Sequence, residues 1–555
     1  MKKILTLILC FAMLASMLAA CGGGDDEKKG ADAPAETNAD GRKVISVGVL
    51  EHANCTDYDN NKFTMWLEEQ AGVDLEFVIF PGNATDAASK LGTWIAVGEE
   101  LPDILWNIPL DTSVYNEYGE DEYLLDLKPY FDDKEGKSKV FWDRMEEVKA
   151  TSEQSYNTTM RRLVNQDTGA MYGFPMVQTT MIDSMDYQVY INQQWLDTLN
   201  LDMPTDPESL FTVLEAFRDG DPNGNGEADE IPLLGSSGSL SGDTLAWIMN
   251  MFLYIDDTHW FNVDENGKLY LPHTTQEYRE ALAYINRLMD ANLLPDSYFS
   301  MGWKDLKALV NTADGETARV GVWAGHPTLI CEINNFILEQ YTAMPMWGNA
   351  IINEIAPQFK TFISADCQDP DKAWEILMLM ASKEGGYRMY YGEKGVDWDD
   401  ADEGTKSYMD LDAEVKVINN ITQAIGSEMW KTLSACILIY AEHELSQQPA
   451  EEDPWLTAKQ TMIKDCYDKY QAAQGNNPTT VVPTLVYTTD EAEAIADQRT
   501  NCQSYLNQMR SFFCVGSKDV MDDGDWDAYL KELDKMGLQK WIDAAQKVYD
   551  RQLAG

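Results

Sequence analysis

Val44-Ile45-Ser46-Val47-Gly48-Val49-Leu50 alternates in the manner of a strand, and Leu75-Glu76-Phe77-Val78-Ile79-Phe80 is a second apolar strand rich in β-branched residues. Between them, Asn61 to Ala71 has helical spacing. A helical stretch over Asp86 to Val97 then leads into Pro102-Asp103-Ile104-Leu105-Trp106. Strands alternating with helices predict a layered α/β fold with a mostly parallel sheet. Another such unit begins at Tyr187 to Asn192 as a strand and continues into helices at Gln194 to Leu199 and Pro207 to Phe217. Tyr278 to Ala291, Trp374 to Ala381 and Trp526 to Gly537 have amphipathic helical periods. Gln447 to Val482 is polar and mixed and has no decided period, and no tandem repeat of fixed length occurs.

The second of these helices runs into Asp221-Pro222-Asn223-Gly224-Asn225-Gly226-Glu227-Ala228-Asp229-Glu230. Asp221, Asn223 and Asn225 stand at positions 1, 3 and 5 of a calcium-loop pattern, and Gly226 at position 6, where the chain must turn sharply. The carbonyl of Glu227 supplies position 7, and Asp229 and Glu230 complete an oxygen shell. Position 12 of an EF-hand needs a bidentate Glu, but Pro232 stands there, followed by the strand-like Leu233-Leu234. The stretch is therefore expected to be a structural Ca2+ clamp opening into a strand, not a sensor. A solvated Asn-Gly turn would need fewer oxygens than these.

Lys2 and Lys3 precede an apolar run from Ile4 to Ala20, too short and wrongly flanked to span a membrane. Residues 1–20 are expected to be a signal peptide. Leu18-Ala19-Ala20-Cys21 is a lipobox pattern, so Cys21 is expected to carry lipid and residues 21–42 to form a flexible tether poor in large apolar groups. The expected location is the extracytoplasmic face of the cell membrane, with the chain lipid-anchored. The net charge of −51, from 93 acidic and 42 basic residues, argues against nucleic acid, which requires clustered Lys and Arg. Of the nine Cys, the seven beyond Cys10 and Cys21 are scattered and odd in number, a poor disulfide framework. A Cys502–Cys514 bridge is the one pairing left open.

These features line up with one family. Leu101-Pro102-Asp103-Ile104, Tyr172-Gly173-Phe174-Pro175, Ile191-Asn192 with Trp195-Leu196, the calcium segment, Tyr391-Gly392-Glu393 with Gly395 and Trp398, and Trp526-Asp527-Ala528-Tyr529 with Tyr549-Asp550-Arg551 occur in the family's order. The chain resembles the extracellular solute-binding proteins of carbohydrate ABC importers (family 1), in the long lipoprotein branch that includes the alginate-oligosaccharide binders. That resemblance implies a type II periplasmic-binding architecture: two α/β lobes, a hinge and an interlobe cleft. It places lobe one at 43–180 plus 360–430 and lobe two at 181–359 plus 431–555. It also implies a monomer that captures an oligosaccharide and delivers it to permease subunits.

A sugar cleft needs flat apolar faces with polar groups around them. The 16 Trp and 26 Tyr can supply such faces, although most Trp pack in cores. Candidates at strand ends and in loops are Trp398 and Trp323 first, then Trp106, Trp303 and Trp347, with Glu393, Glu51, His52 and Asn54 for hydroxyls. The rival reading is a secreted carbohydrate-active enzyme, a glycoside hydrolase or lyase, for which abundant acids are uninformative. His443-Glu444 lacks the second His of a zincin helix, and Gly238-Ser239-Leu240-Ser241-Gly242 puts Leu where a nucleophile elbow needs Ser. The reading is therefore of a binding protein and not an enzyme.

Overall fold

The computed structural model describes residues 37–38, 41–52, 55–179, 185, 187–236, 242–332, 335–351, 357–419, 437–439, 445–449 and 454–554. Cys21, the residues expected to form the signal peptide, and most of the tether lie outside them, as do Asn54, Cys436 and His443.

The opening strand–helix–strand is as the sequence predicts. β1 (Lys43–Leu50) pairs parallel with β2 (Val73–Phe80) along its whole length, from Lys43↔Val73 to Leu50↔Phe80. The intervening helix Lys62–Ala71 starts where Asn61 accepts from the Phe63 amide at 2.9 Å, and stops at Gly72, whose φ of +67° suits glycine. With β3 (Ile104–Leu105), β4 (Phe174–Thr179), β11 (Gln358–Ile363) and β14 (Ile437–Ile439) these strands form a six-stranded sheet in the order β14-β4-β11-β3-β1-β2. A second sheet has the order β10-β5-β9-β6, from β5 (Val189–Asn192), β6 (Ile231–Leu234), β9 (Val320–Ala324) and β10 (Tyr341–Ala343). Two small hairpins complete the strands: β7 (Asn262–Val263) with β8 (Leu269–Tyr270), and β12 (Trp398–Asp400) with β13 (Val415–Val417).

The mostly parallel expectation needs correcting. β1–β2, β1–β3 and β14–β4 are parallel, but β11 is antiparallel to both β3 and β4. In the second sheet only β6–β9 is parallel. The cause is topological. β4 leads out of the first sheet towards the second, and β11 returns from it, so they run in opposite senses. β5 enters the second sheet and β10 leaves it, with the same result.

Each sheet has its own hydrophobic core. One holds Val47, Leu105, Phe174, Phe362 and Trp374, the other Ile191, Trp195, Leu214, Ile285 and Trp541. Counted by the described buried residues of the two cores, the chain passes from one to the other three times: between Val177 and Met185, between Ala350 and Phe359, and between Ile437 and Leu445. β14 lies within the 431–555 stretch that the resemblance gave to lobe two, yet it pairs with β4 on the first sheet. Tyr387, Tyr391, Trp398 and Val415 form a small third cluster.

The undecided 447–482 stretch contains a 20-residue helix, Pro454–Ala473, which buries Trp455, Ile463, Cys466 and Tyr470 in the second core. Among the described residues the cysteines at 55, 331, 367, 466, 502 and 514 are free thiols. Cys502 and Cys514 lie more than three turns apart on the single helix Thr489–Cys514, about 18 Å at ~1.5 Å per residue, which excludes a bridge.

Candidate ligand site

The helix Pro207–Asp219, capped by Asp206, delivers the chain into the acidic turn, where Asp221, Gly224 and Gly226 all have positive φ. The amides fold inward. Asn225 N–H donates to Asn223 Oδ1 at 3.0 Å, Glu227 N–H to Asn225 Oδ1 at 2.7 Å, and Gly226 N–H to Asp221 Oδ2 at 3.2 Å. The side-chain amides of Asn223 and Asn225 both reach Asp229 Oδ1, at 3.3 and 3.0 Å, and Arg319 Nε lies 2.8 Å from Asp229 Oδ2. Glu230 Oε1 is buried with no hydrogen-bond partner among the described residues. Burial, then the charges of Asp229 and Asp221, push the Glu230 carboxyl up. Three converging carboxylates, one of them with an orphaned oxygen, form a donor set that a hard cation would relieve. The carbonyl oxygens of Asn223 and Asn225 each keep a second lone pair for it. The residues fit Ca2+, although no group of three His, Cys, Asp or Glu among the described residues stands ready-made as a metal site.

The expected aromatic plates lie elsewhere than in an open cleft. Trp323 is 0 % exposed, between Tyr190 and Tyr341 with ring centroids 4.7 and 5.8 Å away. Trp398 is 2 % exposed, donates Nε1–H to the Gly392 carbonyl at 3.0 Å and meets Tyr387 edge-on. Neither ring is exposed to a ligand, because Tyr190 and Tyr341 pack on Trp323 and Tyr387 and Tyr391 pack on Trp398. Trp106 is also buried, its backbone amide bonded to Gly48. Trp303 is exposed at the start of the helix Trp303–Val310, and Trp347 is half-buried against Trp247. Glu51 and His52 follow β1, where His52 pairs with Cys55 in an isolated bridge. Glu393 lines a cavity of about 250 Å3 on lobe one with Trp66 and Arg388, its carboxylate 3.2 Å from Lys62 Nζ. The Arg388 guanidinium lies 5.3 Å from the centre of the Trp66 ring.

A larger cavity, about 490 Å3, lies between the two cores. The side of the first core contributes Asp111, Tyr115, Arg162, Asp167 and Tyr172, and the side of the second contributes the strap of residues 484–489 and Arg499. Across it, Thr489 N–H donates to Asp167 Oδ2 at 3.2 Å. The C-terminal helix holds the strap. Gln552 accepts from Val486 N–H at 2.7 Å and donates to the Thr484 carbonyl at 3.1 Å, while Arg551 donates to the Val486 carbonyl at 2.8 Å. Burial pushes the Tyr487 phenol up to about 12. None of the sequence candidates lines this cavity. Residues 162, 167, 487 and 499 carry no motif and become neighbours only through the fold.

Glu491 ties the strap to the C-terminal helix, with Arg551 at 2.8 Å and Lys547 at 3.0 Å. Burial alone would raise its pKa, but the Thr488 amide, Arg551 and Lys547 outweigh burial and hold it at about 2. The folded state favours the ionised form, so this stabilisation is complete above about pH 4.5 and is lost as pH falls towards 2. The gap in melting temperature between wild type and Glu491→Gln is therefore expected to narrow across that window. A gap independent of pH would assign Glu491 another role.

No family model matches the chain. It is 24 % identical over 504 residues to the fructooligosaccharide ABC transporter substrate-binding protein FusA of Streptococcus pneumoniae serotype 4, covering 87 % of this chain and 86 % of that one. An extracellular solute-binding protein from Bifidobacterium longum subsp. infantis superposes with a TM-score of 0.71 at 21 % identity, covering 93 % of this chain and 99 % of the other. An EF-hand mutant of S. pneumoniae FusA in complex with fructo-nystose gives 0.69 at 21 % identity, covering 92 % of this chain and all of that one. The chain thus has the two-lobe fold of the extracellular solute-binding proteins and is related in sequence to an ABC-transporter substrate-binding protein.

Proposed function

We propose that this chain is the substrate-binding component of a carbohydrate ABC importer. It is held by lipid on Cys21 at the outer face of the membrane, closes its lobes on an oligosaccharide and passes it unaltered to permease subunits. The observation that carries this reading is the polar, aromatic cavity between two separately cored lobes that the chain joins at three crossings. FusA, similar along most of the chain, is named for fructooligosaccharide, and one of its structures holds kestose. Each lobe offers part of the contact set, so a ligand that touches both stabilises the closed state by its differential affinity. The acidic turn serves as a structural Ca2+ clamp on lobe two. Lobe one is 43–180 plus 360–430 with β14 added, and lobe two is the remainder.

Calorimetric titration of the mature protein with a panel including kestose and fructo-nystose tests this reading. One ligand class is expected to bind with one-to-one stoichiometry, to change tryptophan fluorescence and to be recovered intact. Absence of heat across a broad glycan panel would overturn the carrier reading. Release of shorter products would favour the enzyme instead.

A further inference from the structure

His273, in the turn Pro272–Thr274, is 0 % exposed and enclosed by elements of the second core. Its Nε2 lies 3.0 Å from Asp257 Oδ1. A carboxylate only accepts, so this contact assigns the ring hydrogen to Nε2 and leaves Nδ1 a bare lone pair. Nδ1 is buried with no hydrogen-bond partner among the described residues. Arg510, on the helix Thr489–Cys514, donates Nη2–H to Asp257 Oδ2 at 2.5 Å and stands 3.3 Å from His273 Nε2, donor facing donor. Trp260 stacks on the imidazole, with centroids 5.4 Å apart and planes at 23°, from a backbone φ of +66° that bulky residues avoid. The Tyr278 ring closes another side at 5.0 Å, and Tyr529 donates its hydroxyl to the His273 carbonyl at 3.0 Å.

A proton taken up here would create an N–H at Nδ1 with nothing to accept it, and a second positive charge beside Arg510. Asp257 is already shared between the two. Burial pushes the imidazole below its ordinary value, Asp257 pulls it back up, and Arg510 lowers it again. The other ionisable groups nearby do not bond Nδ1. Tyr278, Tyr529 and Cys514 are raised by burial, Asp243 accepts from Tyr298 and the Ala246 amide, and Asp256 is paired with His259. The helix that Arg510 fixes to this cluster also walls the interlobe cavity with Ala492 and Arg499, and its first amide reaches Asp167 across that cavity. We infer that His273 is a proton-sensitive seat for the helix Thr489–Cys514: neutral, it holds the helix in place, and protonated, it loosens the helix and with it one wall of the cavity.

The sign follows from the buried ring. The folded protein holds His273 below the unfolded value of 6.5, so its stabilisation is complete above that pH and is lost as pH falls below it. The test is unfolding of the mature protein at about pH 7.5 and 5.5, for wild type and His273→Gln, with hydrogen exchange followed along the helix. Gln keeps an N–H for Asp257 and does not titrate, while His259 titrates in both proteins and cancels. Relative to His273→Gln, wild type is expected to lose up to about tenfold in its folding equilibrium constant over this interval. Residues 489–514 are expected to lose exchange protection before the first core does. A difference between the two proteins that does not change with pH overturns the seat. So does a changing difference with the helix still protected, because His273 then acts on the whole fold. If His273→Gln does not fold, the ring C–H resonance of His273 in wild type carries the test: titration at the ordinary histidine value overturns the proposal, and titration below it, together with loss of protection in the helix, supports it. No ligand enters these measurements, so their outcome is separate from that of the carrier reading.

Discussion

Trp323→Ala is expected to remove about 3–5 kcal/mol of stability from the second lobe while leaving ligand affinity of the folded protein within a few-fold of wild type. The ring lies wholly inside the core, tilted onto Tyr190 and edge-on to Tyr341, so its loss leaves a void that the surrounding side chains can close only in part. The two ring contacts add to the area term. Nε1 of Trp323 has no hydrogen-bond partner among the described residues, so truncation breaks no polar link and the loss is one of packing. Urea unfolding gives the stability, and titration well below the melting temperature gives the affinity. A variant with native stability and lost binding would place the ring on the ligand after all.

The second large effect concerns the acidic turn. Calcium is expected to raise the melting temperature and chelator to lower it, by an amount set by site occupancy. At a thousandfold excess over Kd, binding to the folded state alone contributes about 4 kcal/mol. Asp221→Ala combined with Asp229→Ala should abolish the calcium response. The response is the informative quantity, because Asp229 also pairs with Arg319 and its loss costs stability with or without the ion. Glu230→Gln sharpens the test. It removes a charge that burial and two neighbouring acids disfavour, so it should stabilise the calcium-free protein and weaken the response to added ion. A wild-type melting curve that chelator does not move would rule out the clamp.

What the sequence made legible were features written into consecutive residues. The β1–helix–β2 unit was readable because its alternation and helical spacing are local, and the Asp221–Glu230 turn because its oxygens stand at fixed intervals. Strand direction was only half legible. Whether β11 runs with or against β4 depends on where the chain has been between them, which no local period records. The helix Pro454–Ala473 was missed because its apolar positions are diluted by Lys, Gln and Asp. A place at a strand end points to Trp323 as a ligand plate, yet the ring is enclosed by Tyr190 and Tyr341 from strands remote in sequence or across the sheet, so its burial is a tertiary property. Arg162 and Arg499 share a cavity although more than three hundred residues separate them, and only the fold brings them together.

The three passages of backbone between the cores have a mechanical meaning. Two bodies tied by one thread can swivel, slide and roll freely, whereas three ties narrow the ways in which the bodies can move against one another. Such a joint limits how far the two faces can slip out of alignment. Recognition can therefore depend on groups contributed from opposite jaws without their register being found anew each time.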